Sequence, residues 1–263
     1  MDLEIQGHSA LVSASSSGLG KASATALAEE GANVVINGRD QERLEATAEE
    51  IRETATGEVV AHAADLTDES EIRGLVDRAV EEFGGLDHLV TNAGGPPSGP
   101  FSGTTDEDWY QAFDLLVMSS VRLVRNATEH LQAGDGGTIV NITSHSVKEA
   151  LDELVLSNSV RMSVVGLEKT LARELAPDVR VNAIMPGPHK TNRMEYLIQN
   201  SVDLGEHESY EESYDEWTED IPFGEMGDPY RFGQTVAYLS GAPSEFVSGT
   251  TVMVDGGQSR STL

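Results

Sequence analysis

The stretch His8–Gly38, "HSALVSASSSGLGKASATALAEEGANVVING", decides the fold. It opens on a short apolar run (8–14) and closes on a second one (33–38). Between them Gly18 and Gly20 begin a segment whose apolar residues recur at helical spacing. Strand, glycine turn, helix and strand in that order form a βαβ unit, which makes the two strands parallel neighbours of one sheet. Ser13, Ser15, Ser16 and Ser17 stand just before Gly18, Leu19 and Gly20. In such a turn the glycines let the backbone approach a pyrophosphate at the helix N-terminus, and the serine hydroxyls offer further donors. A tight strand-to-helix turn uses the same glycines, so the turn alone does not demand a nucleotide.

The alternation continues along the chain. "EVVAHAADL" (58–66), "LDHLVTNAG" (86–94), "GTIVNITS" (137–144), "VRVNAIMPG" (179–187) and "TTVMVDGG" (250–257) are further apolar runs, with helical segments between most of them. Seven such runs, with no repeat, low-complexity block or linker, predict an α/β fold. The expectation is a single doubly wound Rossmann-type domain over 1–263, a seven-stranded parallel sheet with helices on both faces. Ligands of such sheets sit beyond the carboxyl ends of the strands. The segment at about 190–223 is acidic, with Tyr196, Tyr210, Tyr214, Trp217 and Phe223 interleaved. It reads either as a mobile lid over an apolar substrate or as a solvated helix pair.

Charge excludes some partners. Forty-five Asp and Glu stand against 17 Lys and Arg, a net charge of −28. Such a chain repels polyphosphate, so no nucleic-acid partner is expected. The acids are spread over the helical segments rather than confined to a tail, a pattern that resembles proteins of salt-loving organisms; a merely acidic cytosolic protein is the alternative. Self-repulsion at low ionic strength is screened by salt. The expected result is therefore a melting temperature that climbs with KCl towards molar concentration, and a flat profile would count against it. The absence of cysteine removes disulfides and thiolate metal sites, and no metal is expected. No apolar run is long enough to span a bilayer and no export signal is visible, so a cytoplasmic protein without a membrane partner is expected.

Several segments together resemble the short-chain dehydrogenase/reductase family over nearly the whole chain. "VSASSSGLG" is similar to its glycine loop, "ADLTD" to its adenine-contacting segment and "TNAG" to its central Asn-Ala-Gly turn. "IVNITS" is similar to the strand that ends on its catalytic serine, "VNAIMPGPHKT" to its Pro-Gly segment, and "SGTTVMVDGG" to its last strand. "NAGGPPSGPF", "SVKE" and "LSNSVR" resemble the 3-oxoacyl-[acyl-carrier-protein] reductase-like branch. The resemblance implies a nicotinamide cofactor held by the 13–20 loop, with Asp65 and Leu66 at the adenine and Asn92, Ala93 and Gly94 along the ribose. Pro186, Gly187 and Thr191 would meet the nicotinamide or diphosphate. The loop's first glycine is Ala14 in this chain. Where NAD-preferring members carry an acid, this chain has Gly38 followed by Arg39, which suits a 2′-phosphate. NADP(H) is therefore expected ahead of NAD(H), although NAD(H) remains possible. The helical segments 106–131 and 153–176 match those that pair subunits in the family, implying a homo-oligomer, a tetramer or dimer.

The catalytic set departs from the family. Ser144 matches the serine, but Ser157 stands where the tyrosine belongs, Arg161 where the lysine belongs, and Leu116 where the asparagine belongs. No Tyr-x-x-x-Lys occurs in the chain. A tyrosine hydroxyl ionises near ~10 and a neighbouring cation draws it lower, whereas a serine hydroxyl is a far weaker acid. Arginine donates hydrogen bonds and positive charge but does not shuttle protons. Ser144, Ser157, Arg161 and Lys148 are the candidate catalytic residues, Arg161 also being expected to bind the nicotinamide ribose, with His145 and Glu149 nearby as a proton source or as a solvated loop. Three readings stay open. One is an NADP(H)-dependent reductase or dehydrogenase of a small carbonyl or alcohol with an unusual proton relay. A second is a dinucleotide-binding sensor or partner subunit without turnover. The third is a different chemistry, as in halohydrin dehalogenases, which keep the tyrosine and lose the glycine loop, the reverse of this chain.

Overall fold

Apolar residues on both faces of every inner strand require helices on both sides of the sheet, and that is the arrangement in the computed structural model, which describes residues 1–134 and 136–262. The strands are β1 (Ser9–Val12), β2 (Asn33–Gly38), β3 (Val59–Ala63), β4 (His88–Thr91), β5 (Gly137–Ile142), β6 (Val179–Pro186) and β7 (Thr251–Val254). They form one sheet in the order β3-β2-β1-β4-β5-β6-β7, and every neighbouring pair is parallel.

Alternate residues of a strand supply the two cores. Ala10, Val12, Val34, Ile36 and Val90 face one core, built with α1 (Gly18–Glu29), α2 (Gln41–Arg52) and α10 (Pro229–Ser240). Leu11, Val35 and Leu89 face the other, built with α3 (Glu69–Phe83), α5 (Ser119–Leu131) and α7 (Met162–Glu174). Chain order reverses between β1 and β4, so a crevice opens at their carboxyl ends. Among the described residues no helix is long and apolar enough to cross a membrane.

Two long helical segments are interrupted where they approach that crevice. The segment starting at 106 runs as α4 (Asp106–Phe113), a π-helical turn Asp114–Met118, then α5. Its start is set by a capping box, in which Thr105 Oγ1 accepts from the Asp108 amide and the Asp108 carboxylate accepts from the Thr105 amide. The second segment runs as α6 (Val155–Val160), then Arg161, then α7. Over the carboxyl end of β6 lie α8 (Asn192–Asp203) and α9 (Tyr210–Glu219), joined by packing of Met194, Ile198 and Met226 with Tyr214 and Trp217.

Candidate functional site

A cavity of about 1000 Å³ runs along the carboxyl ends of the strands. Most of the residues singled out from the sequence line it: Ser16, Ser17, Gly18, Leu19, Arg39, Asp65, Leu66, Asn92, Ala93, Gly94, Pro186, Gly187 and Thr191, together with Ser144, Ser157 and Arg161. Residues separated by up to 175 positions in the chain thus share one wall, Ser16 and Thr191 among them.

The loop at the end of β1 is held from behind. Ser13 Oγ donates to the Asn92 carbonyl and accepts from the Asn92 amide, at 2.7 and 2.8 Å. Ser15 Oγ donates to the Val12 carbonyl at 2.6 Å and accepts from the Asn37 amide at 2.9 Å. Both serines are fully buried and neither lines the cavity, which corrects their expected role as phosphate donors: their hydroxyls are consumed in shaping the loop. Gly20 also lies outside the lining, and a Cβ there would come 2.4 Å from the Ala14 carbonyl oxygen and 2.8 Å from Asn92 Nδ2. Its contribution is to let α1 approach the loop.

Sequence reasoning missed Asn37. Its Oδ1 accepts from the Ala14 amide at 3.1 Å and its Nδ2 donates to the Ala64 carbonyl at 3.0 Å, tying the glycine loop to the end of β3. Asn92 Nδ2 donates to the Ala14 carbonyl at 3.0 Å, so both polar groups of Ala14's backbone are clamped. Ala14 is held at φ 45°, the left-handed region. Replacing Ala14 by glycine relieves that strain but loosens the unfolded chain, and the expected net gain is about 0.5–1 kcal/mol. A chemical-denaturation midpoint no higher than that of the parent would contradict it.

The amino end of α1 differs from most other helix starts. Asp40, Asp68, Thr105, Thr191, Ser209 and Asp228 each cap a helix with a side-chain acceptor, whereas the N-cap residue Ser17 makes no such bond. The first-turn amides of α1 therefore remain available at the cavity, as a diphosphate requires. Gly18 takes φ 57°, and the Thr191 side chain lies 3.7 Å from where a Gly18 Cβ would stand, on the opposite side of this cradle. At the far end of β2, a Cβ on Gly38 would touch Ser16 Cβ at 3.0 Å and come 3.2 Å from its Oγ. Ser16 and Arg39 thus border the same corner, and a side chain at position 38 would press on Ser16. Asp65 closes the corner's other side. Its Oδ1 accepts from the Thr67 amide and hydroxyl, and these bonds hold its carboxyl below the usual range.

At the other end of the cavity, Ser144 follows β5 and begins the 3₁₀ turn His145–Val147, with its Oγ accepting from the Ser146 amide at 3.1 Å. That bond leaves the Ser144 hydroxyl proton free to donate. Ser157 Oγ and Ser146 Oγ pair at 3.0 Å. Arg161 sends Nη1 to the Thr143 carbonyl at 3.4 Å, and its enclosed Nε has no partner. Burial, reinforced by the Arg193 charge, lowers its pKa to about 10, which still leaves it a cation at neutral pH. Lys148 is absent from the lining: the turn after Ser144 takes the chain out of the wall first, which corrects its place among the catalytic candidates. His145 is buried rather than a surface residue and belongs to the lining; its enclosed Nε2 makes no hydrogen bond and lies 3.6 Å from Glu149 Oε2. The other oxygen of Glu149 accepts from Ser259 Oγ and from the Arg260 and Ser261 amides, so the carboxyl terminus packs onto this loop. The hydroxyl of Ser259 is the largest cause of Glu149's lowered pKa.

Leu116, at the position of the family's asparagine, is buried within the π-helical turn. It packs with Ala112, Val117, Leu156, Val160 and Val164. An apolar cluster thus surrounds the position at which the resemblance expects an asparagine.

Comparison with known proteins agrees with this geometry. A family model described as "Enoyl-(Acyl carrier protein) reductase" matches residues 13–259. The chain belongs to the short-chain dehydrogenase/reductase family. Membership makes it an NAD(P)-dependent oxidoreductase. It is 30% identical over 253 residues to the 3-oxoacyl-[acyl-carrier-protein] reductase FabG of Staphylococcus aureus, covering 95% of this chain and 97% of the relative. The L-sorbose reductase of Gluconobacter frateurii, solved with NADPH and L-sorbose, superposes with a TM-score of 0.94 at 28% identity, covering 99% of this chain and 100% of that one. An NAD⁺-bound xylitol dehydrogenase superposes with a TM-score of 0.90 at 26% identity, covering 97% and 100%. The family expectation and the seven-stranded parallel sheet both hold.

Proposed function

We propose that this short-chain dehydrogenase/reductase is an NADP(H)-dependent carbonyl reductase or alcohol dehydrogenase of small molecules, with a 3-oxoacyl reductase-like frame and a catalytic set of its own. The observation that carries the reading is one cavity bordered by an uncapped helix start at Gly18 and by Ser144 with Arg161. When bound, the nicotinamide supplies or accepts a hydride. Ser144 Oγ–H donates to the substrate oxygen, and Arg161 places positive charge where negative charge develops. His145, backed by Glu149, is the proton source next to Ser144, since Lys148 is outside the wall and Ser157 is engaged with Ser146. The helices α8 and α9 serve as the substrate lid. The exposed Phe113 and Met162, on the two helical segments that resemble pairing helices, support a homo-oligomer.

Arg39 beside Ser16 supports the preference for the 2′-phosphate. Arg39→Ala is expected to weaken NADPH about 10- to 30-fold, the worth of one charged hydrogen bond, and to leave NADH within about twofold. Fluorescence titration with both cofactors checks it, and equal affinities in the parent protein would remove the assignment. Titration followed by a screen of ketones and alcohols at the nicotinamide absorbance band tests the activity itself. The apolar cluster around Leu116 favours the second reading, a dinucleotide-binding sensor or partner subunit; NADPH binding with no turnover of any carbonyl compound would select it.

A further inference from the structure

We infer that the substrate end of the cavity is a carboxylate site formed by Arg161 and Arg193, so that the preferred substrate is an oxo acid or the matching hydroxy acid. This deepens the reductase reading and rests on it for the site of reaction. Acids outnumber Lys and Arg 45 to 17 in this chain. Among the described residues six of the 17 Lys and Arg have carboxylate partners: Lys21, Arg73, Arg78, Arg122, Lys190 and Arg260. Arg161 and Arg193 are among the cations without one, and both stand in the cavity wall.

Their hydrogen bonds are sparse, although Arg193 also lies over the Tyr196 ring, 5.5 Å from its centroid. Arg161 reaches the Thr143 carbonyl and leaves its enclosed Nε without a partner; Arg193 Nη2 reaches the Pro96 carbonyl at 3.1 Å. The guanidinium of Arg193 lies against Gly95, where a Cβ would stand 3.1 Å from its Nε and 3.2 Å from its Cζ, so this glycine makes room for it. Both guanidiniums belong to the wall of one cavity, and burial, with the Arg193 charge second, lowers the pKa of Arg161. The acids of the wall are engaged elsewhere: Asp114 with Arg122 at 2.9 Å, Glu107 with Gln111 at 2.9 Å, and Asp65 with Thr67.

Arg161 and the half-buried Arg193 put two positive charges in one cavity wall with no carboxylate paired to either among the described residues. A ligand anion supplies that partner. The diphosphate cradle is at Gly18 and Thr191, whereas Arg161 meets the end of β5 and Arg193 meets the Gly95–Pro96 turn after β4. A planar guanidinium matches a carboxylate through paired N–H donors. Leu151, Leu154, Leu197 and Trp217 supply an apolar wall for the rest of the molecule.

The test uses NADP⁺-saturated protein titrated calorimetrically with phenylglyoxylate and with its methyl ester. The acid is expected to bind at least tenfold more tightly. Arg193→Met, and independently Gly95→Ala, which displaces the guanidinium without deleting it, are expected to cut that advantage at least tenfold while NADP⁺ affinity stays within about twofold. Equal binding of acid and ester overturns the inference. So does a loss of NADP⁺ affinity in Arg193→Met in place of the acid preference, because the guanidinium then belongs to the cofactor's diphosphate. Acid binding that depends on Arg193 without any NADPH oxidation upholds the anion site and refutes the reductase reading. Reduction of neutral ketones with no preference for the acid does the reverse.

Discussion

Ser144→Ala is expected to lower kcat about 10²- to 10³-fold while the dissociation constant for NADPH stays within about twofold. The effect is large because a preorganised donor to a developing oxyanion acts in a water-poor pocket, where it is worth several times its value in water. It is selective because the Ser144 hydroxyl sits beyond β5, away from the Gly18 cradle. The Ser146 amide already donates to Ser144 Oγ, so the hydroxyl proton is the group left for substrate. Removing Oγ costs the turn one bond, and a melting curve separates that loss from a catalytic one. Arg161→Ala is expected to reduce both kcat and cofactor affinity, since the resemblance places Arg161 at the nicotinamide ribose and it shares the cavity wall with Ser144. Steady-state kinetics on the best substrate of the screen provide the measurement. A turnover that survives both substitutions would mean that the reaction occurs elsewhere in the cavity.

The second large effect is on stability and comes from Glu168. It lies on the inner face of α7, one turn from Val164 and Ala172, and is 1% exposed with Oε1 unpartnered. Burial raises its pKa from 4.5 to about 7, opposed only in part by the Lys169 charge. In the unfolded chain the group ionises at its ordinary value. Below about pH 4.5 both states hold the proton and the folded state bears no cost. Between 4.5 and 7 the unfolded state releases its proton first, so stability falls as pH rises, and above 7 the loss levels off. Glu168→Gln keeps the shape and removes the titration. The variant is expected to match the parent near pH 4.5 and to exceed it by about 2 kcal/mol above pH 7.5, roughly 5 °C in Tm. Parallel melts across pH isolate this group from His88, which burial pushes down to about 3 in both proteins. A difference that does not change with pH would show that the Glu168 carboxyl is solvated.

What the chain alone determined is what depends on period and on the residue type at a position. A strand buried on both faces has to be apolar throughout, so Ala10–Val12 and Val34–Ile36 announced a parallel sheet covered on both sides. The residues just after each strand marked the cavity, because strand direction alone brings those positions to one edge. That Ser157, Arg161 and Leu116 stand where the family resemblance expects a tyrosine, a lysine and an asparagine is an expectation of the sequence alone. Tertiary structure decided the rest, because a side chain's partner depends on chain brought from far away. Ser13 and Ser15 read as phosphate donors until Asn92 and Asn37, held across the β1 edges, consumed their hydroxyls. Lys148 and His145, three residues apart, separated into a residue off the wall and a ring within it because a 3₁₀ turn lies between them. Arg193 carried no local signal, and it entered the site only because α8 folds back to a carbonyl 97 residues earlier. Spacing along a chain encodes which face a residue occupies; which distant group meets it there is a property of the packed fold.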